Sequence, residues 1–428
     1  MSSRRAFVAC LLALTAAATL VAPAVRAQSP TPLPSEVPPP TPVPGGTTPS
    51  PFPSVLITPS PDVTPPPVRA AAALVEDLDT GQMLYAMNPR AHRPIASLTK
   101  IMTALLVLER TDPGDVVTAS PTAAAAGGAE FGLVPGERHS VRQLLYALLL
   151  QSANDVAVAL AEHVSGNVEA FVALMNSRAR QLELADTRFA SPNGLDDTGY
   201  SSAADLAALA RAAMEQERFA AVVAARARDI PVEGDGSRHV QNRNALLWLY
   251  PGTVGVKTGY TAAAGFCLVA AAERDGERIL TVVLGEPEAA WDDGAALLDH
   301  TFLAFDRVEL VEAGDRFHDV HVRGEVYRAV AGASLVRMVP VPAGPVTREV
   351  RLSGVLRPPL DPGDRLGRVV VMAGDMPMGS VPLVVGPPPP APPPPPPPGP
   401  DDLSAIADRL ASALVRLVRA LFEGDWGG

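Results

Sequence analysis

The stretch His92-Arg93-Pro94-Ile95-Ala96-Ser97-Leu98-Thr99-Lys100-Ile101-Met102-Thr103-Ala104-Leu105-Leu106-Val107-Leu108-Glu109 begins extended and turns helical. Pro94 disfavours helical backbone in the residue before it, and Leu98, Ile101, Leu105 and Leu108 then recur at helical spacing. This predicts a helix whose first turn carries Ser97-Leu98-Thr99-Lys100. Residues three apart on a helix share a face, so the Ser97 hydroxyl lies within reach of the Lys100 amine. The positive end of the helix favours an alkoxide at that point. The pattern fits a nucleophile beside its base, although an isolated Ser-x-x-Lys is better read as an N-cap serine followed by a surface lysine.

Two further elements change that balance. Ser140 reads as the cap of a helix running through Val141, Leu144, Leu145 and Leu148 to Leu150, and a second helix restarts after Asn154 through Val156, Ala159 and Leu160. Ser152-Ala153-Asn154 therefore falls on a break between helices, where side chains can point into a cleft. Asn154 also reads as a cap for the second helix, unless Asp155 takes that place. Lys257-Thr258-Gly259 lies on a strand from Val254 to Tyr260. The three elements, in this order, make the Ser-x-x-Lys, Ser-x-Asn, Lys-Thr-Gly set of active-site-serine penicillin-interacting enzymes.

Around these elements the chain alternates helical and strand patterns. Ala72 to Leu74 and Gln82 to Tyr85 flank Asp77-Leu78-Asp79-Thr80-Gly81, a hairpin signal, and two later β-runs are joined by the turn Glu273 to Glu277. Helical patterns run from Val168 to Leu182, from Ser202 to Met214 and from Ala289 to Phe305, and the loop Ser191 to Tyr200 is placed to rim a cleft. Helices around a mostly antiparallel sheet define an α/β sandwich over 69–305. From 306 to 386 the pattern changes to short β-runs, which reads as a separate small all-β domain.

Two features that could suggest other chemistry do not. His318 and His321 lack a second ligand pair, so no metal or cofactor is expected. Cys267 sits in an apolar strand without a histidine nearby, and reads as a buried packing residue.

The 428 residues suffice for two domains with tails, and the 47% apolar content supports sizeable cores. Many of the 46 prolines fall between Pro30 and Pro67 and between Pro387 and Pro400, which places extended linkers at 28–68 and 387–400. Arg4 and Arg5 precede an apolar run from Ala6 to Ala24, with a small-residue cleavage site at Val25-Arg26-Ala27, so 1–27 reads as an export signal. A net charge of −11 without a basic patch argues against nucleic-acid binding. Within 401–423, Leu403, Ile406, Leu410, Leu414, Leu417 and Leu421 share one helical face, and Arg409, Arg416 and Arg419 line the other. That composition suits an amphipathic helix lying on an anionic membrane surface, with self-pairing as the alternative.

From Ala71 to Val385 the chain resembles the serine-type D-alanyl-D-alanine carboxypeptidases, the low-molecular-mass penicillin-binding proteins. Beyond the three elements, the resemblance rests on Gly194-Leu195-Asp196, on Tyr200 to Leu206, on Asn242-Arg243-Asn244-Ala245-Leu246-Leu247-Trp248 and on Gly255 to Thr261. It implies a penicillin-binding, β-lactamase-like transpeptidase fold and an exported enzyme of the periplasm or cell surface. Its substrates are peptidoglycan stem pentapeptides, from which it removes the terminal D-alanine, and β-lactams acylate it. By the same resemblance Ser97 is the nucleophile, Lys100 its base, Ser152 a proton relay and Asn154 a ligand for the substrate amide. The backbone N–H groups of Ser97 and Tyr260 match the oxyanion hole, while Lys257, Thr258 and Arg243 match the carboxylate site. Gly259 allows close approach of a ligand to the strand. Ala153 and Tyr260 depart from the family pattern, where glycine and histidine are frequent. No Glu-x-x-x-Asn segment follows Asn154 to supply a β-lactamase's deacylating glutamate.

Overall fold

The computed structural model describes residues 64–387 except 235, 343 and 355, together with 407–416. The expected export segment, most of both proline-rich segments and the ends of the expected C-terminal helix lie outside the described residues.

A five-stranded sheet organises the first part of the chain. β1 (Ala72–Asp77) and β2 (Met83–Met87) come from its beginning, and β3 (Thr253–Thr261), β4 (Gly265–Arg274) and β5 (Glu277–Glu286) from its end. The order is β2-β1-β5-β4-β3, with every neighbouring pair antiparallel. The hairpin expected near Asp77 and the turn expected at Glu273 to Glu277 are two of its three hairpin connections, and the third joins β3 to β4 through residues 262–264. Side chains alternate across a strand, yet Cys267 to Ala272 in β4 and Ile279 to Leu284 in β5 are all buried, so both faces of the sheet are covered. α5 (Ala203–Met214) and α7 (Ala290–Ala304) both pack on β5.

Between the two groups of strands the chain builds a helical layer. α1 (Lys100–Arg110) is buried from Lys100 to Val107 and packs on α3 (Asn154–Ser165), α4 (Val168–Gln181) and α5. A helix apolar on all sides belongs in the middle of a layer, and Ile101, Met102, Leu105 and Leu106 account for that position. α2 (Val141–Tyr146) opens on a capping box in which Ser140 and Gln143 satisfy each other's backbone N–H, as Ser140 led one to expect. α6 (Glu217–Val223) packs on β3.

Three local expectations are corrected. Ser97 lies in a 3₁₀ turn, Ala96–Thr99, and α1 starts only at Lys100. Gly194 presses on that turn so closely that a Cβ there would stand 1.9 Å from the Ala96 carbonyl oxygen, and Ala96 itself has a left-handed φ of 47°. Second, α3 begins at Asn154 itself, with Ala153 at the cap position. Third, Asp155 is not a cap: its carboxylate accepts N–H groups from a neighbouring loop.

Beyond α7 the described residues up to 385 contain strands and no helix. The chain divides into two compact units. One takes the described residues through Leu310 with Leu335–Glu349 and Val370–Ser380; the other takes Val311–Ser334, Val350–Val369 and the described residues from Val381 onward. In the first unit, the Gln82 amide donates to the Met338 carbonyl at 2.7 Å and accepts from the Met338 N–H at 2.9 Å. In the second, Val320–Val322 pairs with Glu325–Tyr327, and Ala329–Ala331 with Leu383 to Val385. His318 and His321 are exposed. Residues 407–416 are helical, with Leu410, Leu414 and Val415 more than half exposed. No single helix among the described residues is long and apolar enough to cross a membrane.

Candidate active site

The 3₁₀ turn presents Ser97 directly above the first residue of α1, and Lys100 is fully buried there. Lys100 Nζ lies 2.9 Å from Ser97 Oγ, 2.8 Å from Asn154 Oδ1 and 2.6 Å from the Asn193 carbonyl oxygen. Asn154 Oδ1 and the Asn193 carbonyl can only accept. A neutral amine has two N–H donors and one lone pair, so with both donors used the lone pair is left for the Ser97 hydroxyl proton. The same three oxygens would also accept from an ammonium, so the set accommodates, without selecting, the neutral lysine that a base must be.

Electrostatics favour the same protonation state. Burial pushes the Lys100 pKa well below its ordinary value, and the nearby cations Lys257 and Arg243 push it further, against the opposing charge of Asp155. Lys257 is buried too, and its own pKa falls to about 7 through burial and the proximity of Arg243. The charge of Lys257 thus reaches Lys100, a relation that sequence spacing could not establish.

The Ser-x-Asn element is shaped by an irregular helix end. After α2 the chain makes a π-helical turn at Ala147–Gln151, which leaves Ser152 in a left-handed conformation with φ of 67°. Ser152 is buried, and its hydroxyl has no hydrogen-bond partner among the described residues. Such a group usually has a partner, so this buried hydroxyl is a donor and acceptor left available. Asn154 is held differently: its Nδ2 donates to the Gly127 carbonyl at 2.9 Å, which turns Oδ1 towards Lys100.

β3 forms the opposite wall. Lys257 is buried and donates to the Thr258 carbonyl at 2.8 Å, Thr258 is half-buried, and Tyr260 is 59% exposed with its ring 4.6 Å from that of Phe266. A Cβ on Gly259 would lie 3.0 Å from both the Ser97 nitrogen and the Ile95 carbonyl oxygen, so glycine is what lets the strand touch the turn that carries Ser97. Arg243 is exposed between two buried asparagines: Asn242 Nδ2 donates to the Val223 and Ala225 carbonyls, and Asn244 Nδ2 to the Gly255 carbonyl. The Arg243 N–H donates to the Leu150 carbonyl at 3.1 Å, tying it to the helix end before Ser152.

Ser97, Lys100 and Asn154 are thus joined by hydrogen bonds, Lys257 and Arg243 act on them through charge, and Gly259 meets the Ser97 backbone. The loop at 191–200 does rim this site, with a role the sequence did not disclose: the Asn193 carbonyl is a Lys100 partner, and the Pro192 carbonyl accepts from Thr103 Oγ1 at 2.6 Å. Pro192-Asn193-Gly194 was legible as a turn, but its function resides in backbone oxygens that no residue type advertises.

A helical layer on an antiparallel sheet, with a buried lysine bonded to a serine at the seam, defines an active-site-serine acyl-transfer protein. The family model described as D-alanyl-D-alanine carboxypeptidase matches residues 60–288. The D-alanyl-D-alanine carboxypeptidase DacF of Bacillus subtilis is 32% identical over 316 residues, covering 71% of this chain and 81% of the relative. DacB2 of Mycobacterium tuberculosis is 36% identical over 58% of this chain and 87% of its own length. Among solved structures, penicillin binding protein 5 of Haemophilus influenzae aligns at a TM-score of 0.67 and 30% identity, covering 76% of this chain and 98% of that one. The D-alanyl-D-alanine carboxypeptidase DacD of Francisella tularensis aligns at 0.65 and 27% identity, covering 76% and 94%. The chain belongs to the D-alanyl-D-alanine carboxypeptidase family.

Proposed function

We propose that the protein is a serine-type D-alanyl-D-alanine carboxypeptidase that trims peptidoglycan stem pentapeptides, with Ser97 as nucleophile and Lys100 as its base. The observation that carries this assignment is the 2.9 Å contact between Lys100 Nζ and Ser97 Oγ, inside a partner set that suits a neutral amine. Ser97 Oγ attacks the carbonyl carbon of the penultimate D-alanine while its proton passes to Lys100. The backbone N–H groups of Ser97 and Tyr260 receive the developing oxyanion. Breaking the C–N bond releases D-alanine once its amine has gained a proton, which the unpartnered Ser152 hydroxyl relays from Lys100. Water then hydrolyses the ester, and the same lysine accepts the water's proton.

Asn154 serves the substrate amide through Nδ2 once that group exchanges the Gly127 carbonyl for the ligand. Lys257, Thr258 and Arg243 hold the terminal carboxylate, for which cations and a hydroxyl are the fitting partners. A β-lactam enters by the same attack and leaves an acyl group on Ser97. No metal or cofactor takes part in this scheme.

The chain is read as one exported protein: a signal over 1–27, linkers at 28–68 and 387–400, the peptidase domain over 69–305, an all-β domain over 306–386 and an amphipathic helix over 401–423. Helical geometry at 407–416, with Leu410 and Leu414 exposed, supports the last of these as a contact with an anionic membrane surface. The protein then works outside the cytoplasmic membrane and peripheral to it.

The assignment is tested by incubating the full mature chain with a defined stem pentapeptide and following products by mass spectrometry. Loss of one D-alanine is expected, together with a β-lactam adduct on the Ser97 peptide that is absent from Ser97→Ala. Cleavage of cross-linked dimers without release of D-alanine from the pentapeptide would instead make the protein an endopeptidase.

A further inference from the structure

Asp155 follows Asn154 in the first turn of α3 and is 1% exposed. Its carboxylate accepts four backbone N–H groups: Oδ1 takes Phe131 at 2.9 Å and Val156 at 2.9 Å, and Oδ2 takes Gly132 at 2.8 Å and Leu133 at 2.9 Å. Three of these four belong to one loop. The part of that loop just before Phe131 lies on Asn154: the Asn154 N–H donates to the Ala129 carbonyl at 2.6 Å, and Asn154 Nδ2 to the Gly127 carbonyl at 2.9 Å. Asp155 therefore anchors the segment whose carbonyls choose the orientation of its neighbour's amide. An amide turned the other way would point N–H groups at Lys100.

The far end of the same loop has its own anchor. Glu137 accepts the Val134 N–H at 3.0 Å, His139 Nε2 at 2.7 Å and the two Arg238 guanidinium nitrogens at 2.7 and 3.1 Å. This second anchor holds the loop without being among the charges that act on Lys100. Those charges are Lys257 on β3, Arg243 after the 237–241 strand and Asp155 on α3. Asp155 is the one anion of the three. Its four N–H partners fix where that counter-charge sits.

We propose that Asp155 is a positioning residue for the acylation step: it holds the Gly127–Leu133 loop so that Asn154 faces Lys100 with its oxygen, and it balances the two cations that crowd Lys100. The proposal rests on Lys100 acting as the base for Ser97. It adds a residue that touches neither substrate nor nucleophile. Two consequences separate it from a purely structural role. Losing the carboxylate misorients Asn154 and slows acylation, and it also removes the one charge among the described residues that favours protonated Lys100. The second effect moves the acid limb of the acylation profile to lower pH, because the limb follows the loss of the Lys100 proton.

The test measures the β-lactam acylation rate against pH for the full mature chain, Asp155→Asn, Asp155→Glu and Arg238→Ala. Asp155→Asn is expected to acylate about 10-fold or more slowly at its optimum, with the acid limb displaced downward by roughly half a unit or more. Asp155→Glu keeps the charge but displaces it, so it is expected to be slow with its limb in place. Arg238→Ala loosens the other end of the loop and is expected to leave the limb where it is. A limb that shifts equally in Asp155→Asn and Arg238→Ala, or fails to shift in Asp155→Asn, reduces Asp155 to a structural anchor and overturns the proposal. If Asp155→Asn does not fold, Asp155→Glu decides: wild-type acylation by that variant shows that the placement of the carboxylate is immaterial. Adduct formation by Ser97→Ala would overturn the Ser97–Lys100 reading itself, a result distinguishable because that variant should form no adduct at any pH.

Discussion

Gly259 and Ser97 meet backbone to backbone: a Cβ on Gly259 would stand 3.0 Å from the Ser97 nitrogen and 3.2 Å from that of Leu98. The strand that carries Lys257 and the turn that carries the nucleophile are thereby held at a separation that one methyl group would change. Gly259→Ala is expected to cost about 1–3 kcal/mol of stability through overpacking. It is expected to slow acylation more severely, on the order of 10²-fold, because the two N–H groups assigned to the oxyanion move apart. Stopped-flow acylation alongside thermal unfolding checks both; a variant with wild-type acylation would show that the strand and turn are not required at this spacing.

Lys100→Arg places in the site a cation of similar reach that does not give up its proton. The expected loss in acylation rate is about 10²- to 10⁴-fold, the range for removal of a general base, with folding retained less well than in wild type because a larger, permanently charged group must fit a fully buried site. Retention of most of the wild-type rate would assign the proton transfer elsewhere.

The pH dependence of substrate selection follows from Lys257, whose pKa is lowered to about 7. Below that value the free enzyme offers two cations to a terminal carboxylate, and above it only Arg243. For peptides with a free C-terminus, kcat/KM relative to the C-terminal amide is expected to decline as pH rises through about 7, and Lys257→Arg should abolish the decline. Arg243→Ala should lower kcat/KM for the free acid by about 10- to 100-fold more than for the amide. Equal losses for acid and amide would give Arg243 a scaffold role only.

The same residue ties activity to stability. Lys257 in the unfolded chain keeps its proton up to the ordinary lysine value of 10.5, whereas the folded protein releases it at about 7. Between those values the unfolded state binds more protons, so the contribution of Lys257 to stability rises with pH across that window and is least at and below about 7. Lys257→Met is therefore expected to raise Tm at neutral pH while abolishing turnover of free-acid peptides. A lower Tm would show that the charge is better compensated than its burial implies.

The membrane reading of the C-terminal segment is checked by sedimentation with anionic vesicles. The full mature chain is expected to pellet, and a chain ending at Gly386 to stay in the supernatant with its peptidase activity intact. Two soluble forms, of which only the longer runs as an oligomer, would transfer the amphipathic face to self-association.

The grouping of the site residues was legible in sequence wherever it depends on residue identity at local spacing. Ser97 and Lys100 lie close because three positions of tight turn bring them together, and Ser152 and Asn154 lie close because one residue separates them. The hairpin of β1 and β2, the cap at Ser140 and the strand before Gly259 follow from equally local preferences. Tertiary structure alone decided what those residues are able to do. Burial and two cations distant in the chain lower the proton affinity of Lys100, and backbone carbonyls of Gly127 and Asn193 fix its surroundings. Backbone carbonyls are common to every residue, so no side-chain pattern marks which of them will matter. The left-handed Ser152 and the 3₁₀ turn at Ser97 likewise belong to packing, since each is set by segments that approach from elsewhere rather than by the preferences of the residues themselves.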